Sequence, residues 1–577
     1  MNYSGPEAPI SIEIDEMKYR QVGESFEEKI KRIARALMDD VNHKDSLEDI
    51  LGHMRFLPAG RVQSAVGSNR ITTAYNCFVS GTISDSMNKI MEKASEAAET
   101  MRRGGGIGYD FSRIRPRGDK IKSLDSQASG PVSFMGIFDS ICQTIASSGH
   151  RRGAQMGVLR IDHPDIEEFV TAKRNSDRLT GFNVSVGVTD KFMEALTNEK
   201  DDSFELMFED KAYKTISANE LWNTIMESTW DWAEPGVLFI DRIAEMNNLW
   251  YCEDIVATNP CGEQPLPPYG ACLLGSFNLT KYVHEDIENQ FDFDQFKKDI
   301  PHVVRAMDNV IDRTIYPLKP QSDEAKDKRR MGLGVTGLAN AGEMLGHPYG
   351  SEKFMVWAEK VFACLRDNCY RASALLAKEK GAFPLYRDLY LKSNFVRSLP
   401  HSVRKLIKEH GIRNSHLTSI APTGTISLVA DNVSGGIEPV FNHYYDRTIQ
   451  TFDGPKVERV MDYAYSKGIE GKTANEVSVQ EHLSVLLLAQ HYIDSACSKT
   501  CNVGDEVEYN KFKQVYVDAW KGGAKGCTTF RLSGKRYGIL TAVEEKETDT
   551  AEIKPIEEEN KVEACFMDPT TGARECA

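Results

Sequence analysis

The sequence predicts an α/β protein with substantial parallel strand pairing, closed into a barrel, and three observations lead there. From Asn76 to about Ser427, short apolar runs alternate with amphipathic helical stretches. A helix between two strands returns the chain across the sheet, so successive strands run the same way. The apolar runs suit buried strands, and 577 residues at 41% hydrophobic content are enough for a large core.

Residues 1–70 read as a small helical cap. Apolar residues recur at helical spacing in Glu24–Asp40 and in Lys44–Phe56. Strands are expected at Val79, Gly106–Phe111, Gly157–Ile161, Phe182–Val188 and His416–Ala421, with helices at Ser86–Arg103 and Glu352–Lys380 among those between them. The barrel occupies 71–540. Residues 541–577 form a third region: from Val543 to about Val562 the chain is Glu, Lys, Asp and Thr with almost no large apolar residue. As a flexible tether of about 25 residues it would reach roughly 25–30 Å. It ends in two thiols, Cys565 and Cys576.

The net charge of −15 argues against a nonspecific nucleic-acid binder, which needs a basic face to displace counterions. No apolar run is long enough to span a bilayer, and the first residues lack a secretory leader's basic start and apolar stretch. The chain reads as cytoplasmic, with no membrane partner. Its 12 cysteines are then expected to be mostly reduced, and without a CxxC pair a zinc ribbon or thioredoxin-like motif is unsupported. Any paired cysteines are expected to be transient and catalytic.

Several stretches hold candidate chemistry. Asn259-Pro-Cys261-Gly-Glu263 offers an amide, a thiol and a carboxylate at alternate positions, which share a face on an extended or looped backbone. Pro260 and Pro265 keep it out of a regular helix. Gly104–Gly108 lacks the spacing of a phosphate loop and is better read as a tight backbone crossing. Ser147–Gln155, with Arg151 and Arg152, suits phosphate or base recognition as well as it suits a solvated basic turn. Ala421–Ser427 places hydroxyls and a glycine after an apolar run, where helix capping competes with anion binding. Asn432–Pro439 reads as a packed loop. Cys142, Cys252, Cys364, Cys369 and Cys527 read as core fillers, and Cys497 with Cys501, four apart, could share a helix face.

These residues identify a resemblance to the catalytic subunit of ribonucleotide reductase, running from Tyr75-Asn-Cys77 to Arg536. Its motifs are Asn259–Leu266, Gly270–Leu279 with Cys272, Arg330–Leu338 and Ala421–Ser427. The resemblance implies a ten-stranded α/β barrel of two five-stranded halves, with Cys261 on a central finger loop. It implies that Cys261 holds a transient thiyl radical that takes the ribose 3′ hydrogen, that Glu263 is the base on the 3′ hydroxyl, and that Asn259 orients the substrate. Cys77 and Cys272 would supply two electrons and end as a disulfide, re-reduced by exchange with Cys565 and Cys576 and then with a thioredoxin- or glutaredoxin-like protein. The tail pair is spaced more widely than the family's usual tail. Asn76, Thr423, Gly424, Thr425 and Ser427 would bind the ribonucleotide, a diphosphate or a triphosphate. Asp85, Arg115 and Arg152 match positions for allosteric deoxynucleoside triphosphates at a homodimer interface.

The resemblance also bears on the radical source. Members served by a separate metal-containing subunit carry a tyrosine pair where this chain has Thr529 and Phe530, and phenylalanine forms no phenoxyl relay. That stretch and Asp494–Asn502 resemble the adenosylcobalamin-dependent class, so adenosylcobalamin is the expected cofactor, with no metal held by protein side chains. The alternatives are a catalytic subunit relying on a radical-generating partner, with a relay tyrosine such as Tyr537, and a nucleotide-binding regulatory relic without activity. The segment before Cys77 is too short for the family's ATP-binding cone. That compactness is compatible with a cellular or a viral origin, the latter acting in host cytoplasm.

Overall fold

The computed structural model describes residues 3–121, 125–147, 151–152, 154–174, 178–284, 290–451, 454–531, 541–542, 566–567 and 574–575. Three helices open the chain, Pro9–Tyr19, Phe26–Leu37 and Val41–Gly52. The second starts at a capping box, in which Ser25 and Glu28 satisfy each other's backbone N–H groups. A buried Asp15–Lys29 ion pair ties the first helix to it.

Ten of the strands among the described residues fall in two sheets. They are β1 (Cys77–Val79), β2 (Gly106–Asp110), β3 (Gln155–Arg160), β4 (Phe182–Val188), β5 (Gly236–Phe239), β6 (Ala271–Cys272), β7 (Leu274–Asn278), β8 (Gly332–Thr336), β9 (Thr500–Val503) and β10 (Gly526–Arg531). Eight make one sheet in the order β6-β1-β2-β3-β4-β5-β10-β9. Its run from β1 to β5 is wholly parallel, as the strand–helix alternation predicts. The turn to antiparallel comes where β5 meets β10, and again where β1 meets β6. β7 lies between Phe56–Pro58 and β8 in a second sheet.

The predicted strand His416–Ala421 forms only isolated bridges, Leu333 to Thr418 and Ile420 to Cys497. A side chain explains the interruption: the buried Asp494 carboxylate accepts from the N–H groups of Leu417 at 2.7 Å and Thr418 at 3.1 Å, displacing strand partners. Cys497 and Cys501 do not share a helix face. Cys497 is in a bridge and Cys501 in β9, because this stretch pairs alongside β10. Cys252 is exposed rather than a core filler.

Helices cover the outside of the strands. The longest, Glu352–Lys380, begins where Ser351 caps the N–H of Phe354 and stops at Gly381, whose φ of 83° suits glycine. It packs on Phe293–Arg313 and His401–His410. One apolar core joins these helices to β7 and β8 through residues such as Phe277, Val335 and Leu365, and a second fills the side of β2 to β5 with Tyr109, Phe138, Phe182 and Trp222. Among the described residues no helix is long and apolar enough to cross a membrane.

Candidate active site

Two short strands, Ala257–Thr258 and Pro265–Leu266, pair antiparallel and carry the motif between them at a hairpin tip. The Gly262 N–H donates to Asn259 O at 3.0 Å, and Gly262 has φ of 81°, a conformation that favours glycine. The Asn259 side chain turns back so that its Oδ1 accepts from the Gln264 N–H at 3.0 Å. Asn259, Cys261 and Glu263 are therefore grouped by a closed turn, not by the alternation of an extended strand.

The surrounding strands make room for this tip by leaving out side chains. A Cβ on Gly108 would lie 1.8 Å from Thr258 O, so only glycine lets the hairpin backbone cross β2. A Cβ on Gly106 would meet Pro260 Cγ at 3.2 Å and Cys77 Sγ at 3.3 Å, which puts a strand thiol and the tip beside the same glycine. Across the interior, a Cβ on Gly332 of β8 would come within 2.4 Å of Gln264 Nε2. The reading of Gly104–Gly108 as a tight crossing thus has its explanation.

Other groups hold the tip in place. Asn183 of β4 donates to Pro260 O at 3.1 Å, while Ser419 Oγ and the Ala496 N–H donate to Glu263 O, each at 2.9 Å. None of these three anchors was found by reading the sequence. Each is an ordinary polar or small residue far along the chain, with no local pattern to single it out.

Cys77 and Cys272 are directly opposite in the β1–β6 pairing. Opposed residues of that kind have Cα atoms about 5.5 Å apart, inside the span a disulfide bridges. Both are thiols in this structure. Burial pushes the Cys272 thiol well above the ordinary range, and Glu263, Cys77 and Cys261 raise it further, so all four groups share one electrostatic neighbourhood. Cys272 is fully buried and Cys77 and Cys261 nearly so. Around them Asn259 Nδ2, Asn76 Oδ1, Ser185 Oγ and both amide atoms of Gln264 are buried without hydrogen-bond partners among the described residues. A polar guest would satisfy such atoms, whose desolvation otherwise costs about 1–3 kcal/mol each.

Ala421–Ser427 leads into a short helix, Gly424–Val429. Thr423 sits before it at φ of 59°. Its hydroxyl is bonded to Thr336 Oγ1 at 2.8 Å and accepts from the Gly436 N–H at 2.8 Å, and Ser427 Oγ donates to Gly424 O at 3.1 Å. These two hydroxyls shape the turn, while Gly424 and Thr425 are its partly exposed residues. The first N–H groups of a helix have no partner within it, which makes them available to an anion.

Asp85 and Arg115 meet in a 2.5 Å ion pair at the partly exposed start of the helix Met87–Arg102. The Arg152 side chain, Cys565, Cys576 and Tyr537 lie outside the described residues. Thr529 and Phe530 are in β10, where Thr529 Oγ1 is bonded to the Tyr516 hydroxyl at 2.8 Å.

Comparison with known proteins agrees with this geometry. The family described as ribonucleotide reductase, barrel domain, matches residues 75–468 and 470–530. A protein of Thermoplasma acidophilum named vitamin B12-dependent ribonucleoside-diphosphate reductase is 33% identical over 570 residues, covering 93% of this chain and 71% of that protein. One of the same name from Mycobacterium tuberculosis is 35% identical over 526 residues, covering 86% of this chain and 73% of that protein. The ribonucleoside-diphosphate reductase subunit alpha of Chlamydia muridarum is 26% identical, with 87% of this chain and 55% of that protein covered. With Cys77, Cys261 and Cys272 gathered beside Glu263 and Asn259, and with the family match spanning these positions, the chain belongs to the ribonucleotide reductase family.

Proposed function

We propose that this protein reduces ribonucleoside diphosphates to 2′-deoxyribonucleotides by thiyl-radical chemistry, with adenosylcobalamin as its radical source. The observation that carries the reading is the gathering of Cys261, Cys77, Cys272 and Glu263 around one buried hairpin tip. Cys261, as a thiyl radical, takes the 3′ hydrogen of the ribose. Glu263 accepts the 3′ hydroxyl proton, and Asn259 Nδ2, buried without a hydrogen-bond partner among the described residues, donates to the sugar. As the 2′ hydroxyl leaves as water, Cys77 and Cys272 give up two electrons and become a disulfide. The raised Cys272 keeps its proton at neutral pH, so it enters the reaction as a thiol.

Adenosylcobalamin supplies a carbon-centred radical when bound. Ser185 Oγ and Asn502 Oδ1, both without hydrogen-bond partners among the described residues, suit the polar edge of a nucleoside and would hold its adenosyl part. Thr529 and Phe530 in place of a tyrosine pair favour this source over a separate radical-generating subunit. So does the name of the Thermoplasma acidophilum and Mycobacterium tuberculosis relatives.

The strands extend to a closed ten-stranded barrel in this reading. It is supported by the bridges from β8 through Thr418 and Ile420 to Cys497, beside β9, and by β6 running on into β7. The helices of residues 1–70 form a cap, residues 71–540 the barrel, and residues 541–577 a tether whose cysteines pass electrons from a thioredoxin- or glutaredoxin-like reductant. The turn at Thr423–Ser427, with Asn76, binds the substrate. Asp85, Arg115 and Arg152 bind a deoxynucleoside triphosphate effector in a homodimer.

The test incubates the purified chain with a ribonucleoside diphosphate and a dithiol, with and without adenosylcobalamin. Deoxyribonucleotide is expected only with the cofactor. No product in its presence would overturn the proposal.

A further inference from the structure

Behind the Thr423 turn lies a buried polar chain that the catalytic chemistry does not use. Thr423 is bonded to Thr336 Oγ1, which donates to Ser434 O at 3.1 Å. The Gly337 N–H donates to the same carbonyl at 2.7 Å. Ser434 is in turn held by Asn340: its N–H donates to Asn340 Oδ1 at 2.6 Å, and its Oγ accepts from the Asn340 N–H at 3.4 Å. The other end of the Asn340 amide meets two carboxyl groups. Nδ2 donates to Asp462 Oδ1 at 2.9 Å and Oδ2 at 3.1 Å, and to Glu343 Oε2 at 3.2 Å.

Two carboxyl groups that meet at one buried amide repel each other when both are ionised. Asp462 is the one charged group acting on Glu343 among the described residues, and Glu343 Oε1 has no hydrogen-bond partner there. The loop at Gly471 closes over it, since a Cβ on that glycine would lie 1.9 Å from Glu343 Oε1. Asp462 has the compensation that Glu343 lacks. Burial raises Asp462 as well, but the carboxylate accepts from the Asn340 amide and from the N–H groups of Ala464 at 3.0 Å and Tyr465 at 3.1 Å, and His443, stacked on Tyr465, offsets part of that rise. Beyond Gly471, Lys472 is committed to Glu481 at 2.6 Å. Burial, followed by the Asp462 charge, pushes Glu343 up to about 9.

We infer that Asn340 is a positioning residue for the substrate phosphates, holding the Thr423 turn through Ser434 and Thr336, and that it does so while Glu343 is in its neutral form. The inference rests on the proposed phosphate-binding role of that turn. Ionised Glu343 would face Asp462 with like charge across the Asn340 amide, and the amide would lose its hold on one of them. The binding-competent population, and apparent affinity with it, then falls as Glu343 titrates.

The experiment measures, by calorimetry, the dissociation constant of a ribonucleoside diphosphate and of the phosphate-free nucleoside. The full-length wild type and Glu343→Gln, whose amide cannot ionise, are compared from one pH unit below the Glu343 midpoint to one above. For the diphosphate a rise of about tenfold is expected in the wild type and a flat profile in Glu343→Gln. Asn340→Asp is expected to weaken diphosphate binding at neutral pH with little effect on the nucleoside. Should that variant not fold, the paired pH profiles decide alone. Parallel alkaline weakening in both proteins would overturn the inference. Equal wild-type affinity for diphosphate and nucleoside would instead overturn the phosphate role of the turn.

Discussion

The hairpin tip at Cys261 and the turn at Thr423 are held by opposite means. The tip is placed by what its neighbours lack: Gly106, Gly108 and Gly332 leave room for its backbone and the Gln264 side chain, and three hydrogen bonds to carbonyl oxygens anchor it. The turn is placed by what its neighbours add, a chain of side chains from Thr336 to Asp462. Under the proposed roles, the tip has to bring a buried thiol up to the substrate, whereas the turn has to present rigid N–H donors to an anion. The first is sensitive to added volume and the second to altered charge.

The largest expected effect tests the chemistry at the tip. Cys261→Ser keeps the shape and removes the radical carrier, so turnover should fall on the order of 10⁴-fold or more while substrate binding persists. Full activity in that variant would remove the proposed mechanism. The next test adds volume. Gly108→Ala should displace the hairpin at Thr258 and lower kcat by roughly 100-fold, as a misplacement near 1 Å does. Gly136→Ala is the control: that glycine is in a helix with nothing within 4 Å of the added Cβ, and the change should stabilise by about 0.5–1 kcal/mol. Equal activity losses in the two would show that the clearance at Gly108 is unimportant.

Charge is the probe at the turn. Glu343 holds a raised midpoint in the folded protein, so the folded state binds the extra proton between the ordinary carboxylate range and about 9. Stability attributable to Glu343 is complete below that range and is lost as pH rises through it. The wild type should lose stability against Glu343→Gln by up to about 1.4 kcal/mol per pH unit, read by denaturant unfolding. A constant difference would mean that Glu343 is not buried in its neutral form. The smallest effect lies outside both regions. The partly exposed Asp85–Arg115 pair should contribute less than about 1 kcal/mol, so Asp85→Asn should leave stability nearly unchanged while abolishing the response to deoxynucleoside triphosphates.

Much of the fold was legible because burial leaves a continuous apolar trace. Phe182–Val188 and Glu352–Lys380 have the limits that their patterns predict, and β1, β2 and β3 depart from theirs by a few residues. His416–Ala421 carries the same trace, but the N–H groups of Leu417 and Thr418 go to the Asp494 carboxylate, and periodicity does not reveal a competing acceptor. The chemical residues were legible from their types and motif order. Their supports, Asn183, Ser419, Asn340 and Glu343, were not, since a buried polar residue looks like a surface one until its partners are known.

By itself the sequence determined the parallel strand–helix alternation, the thiol–carboxylate–amide set and the resemblance that orders it, since these are written in local pattern and residue type. Only the tertiary structure decided that Cys77 and Cys272 are register partners on adjacent strands, that Gly108 clears the path of the hairpin, and that two carboxyl groups meet at the Asn340 amide behind the Thr423 turn. Each of these joins residues far apart in the chain. Local pattern holds no information about which distant backbone passes within a few ångströms, and packing alone supplies it.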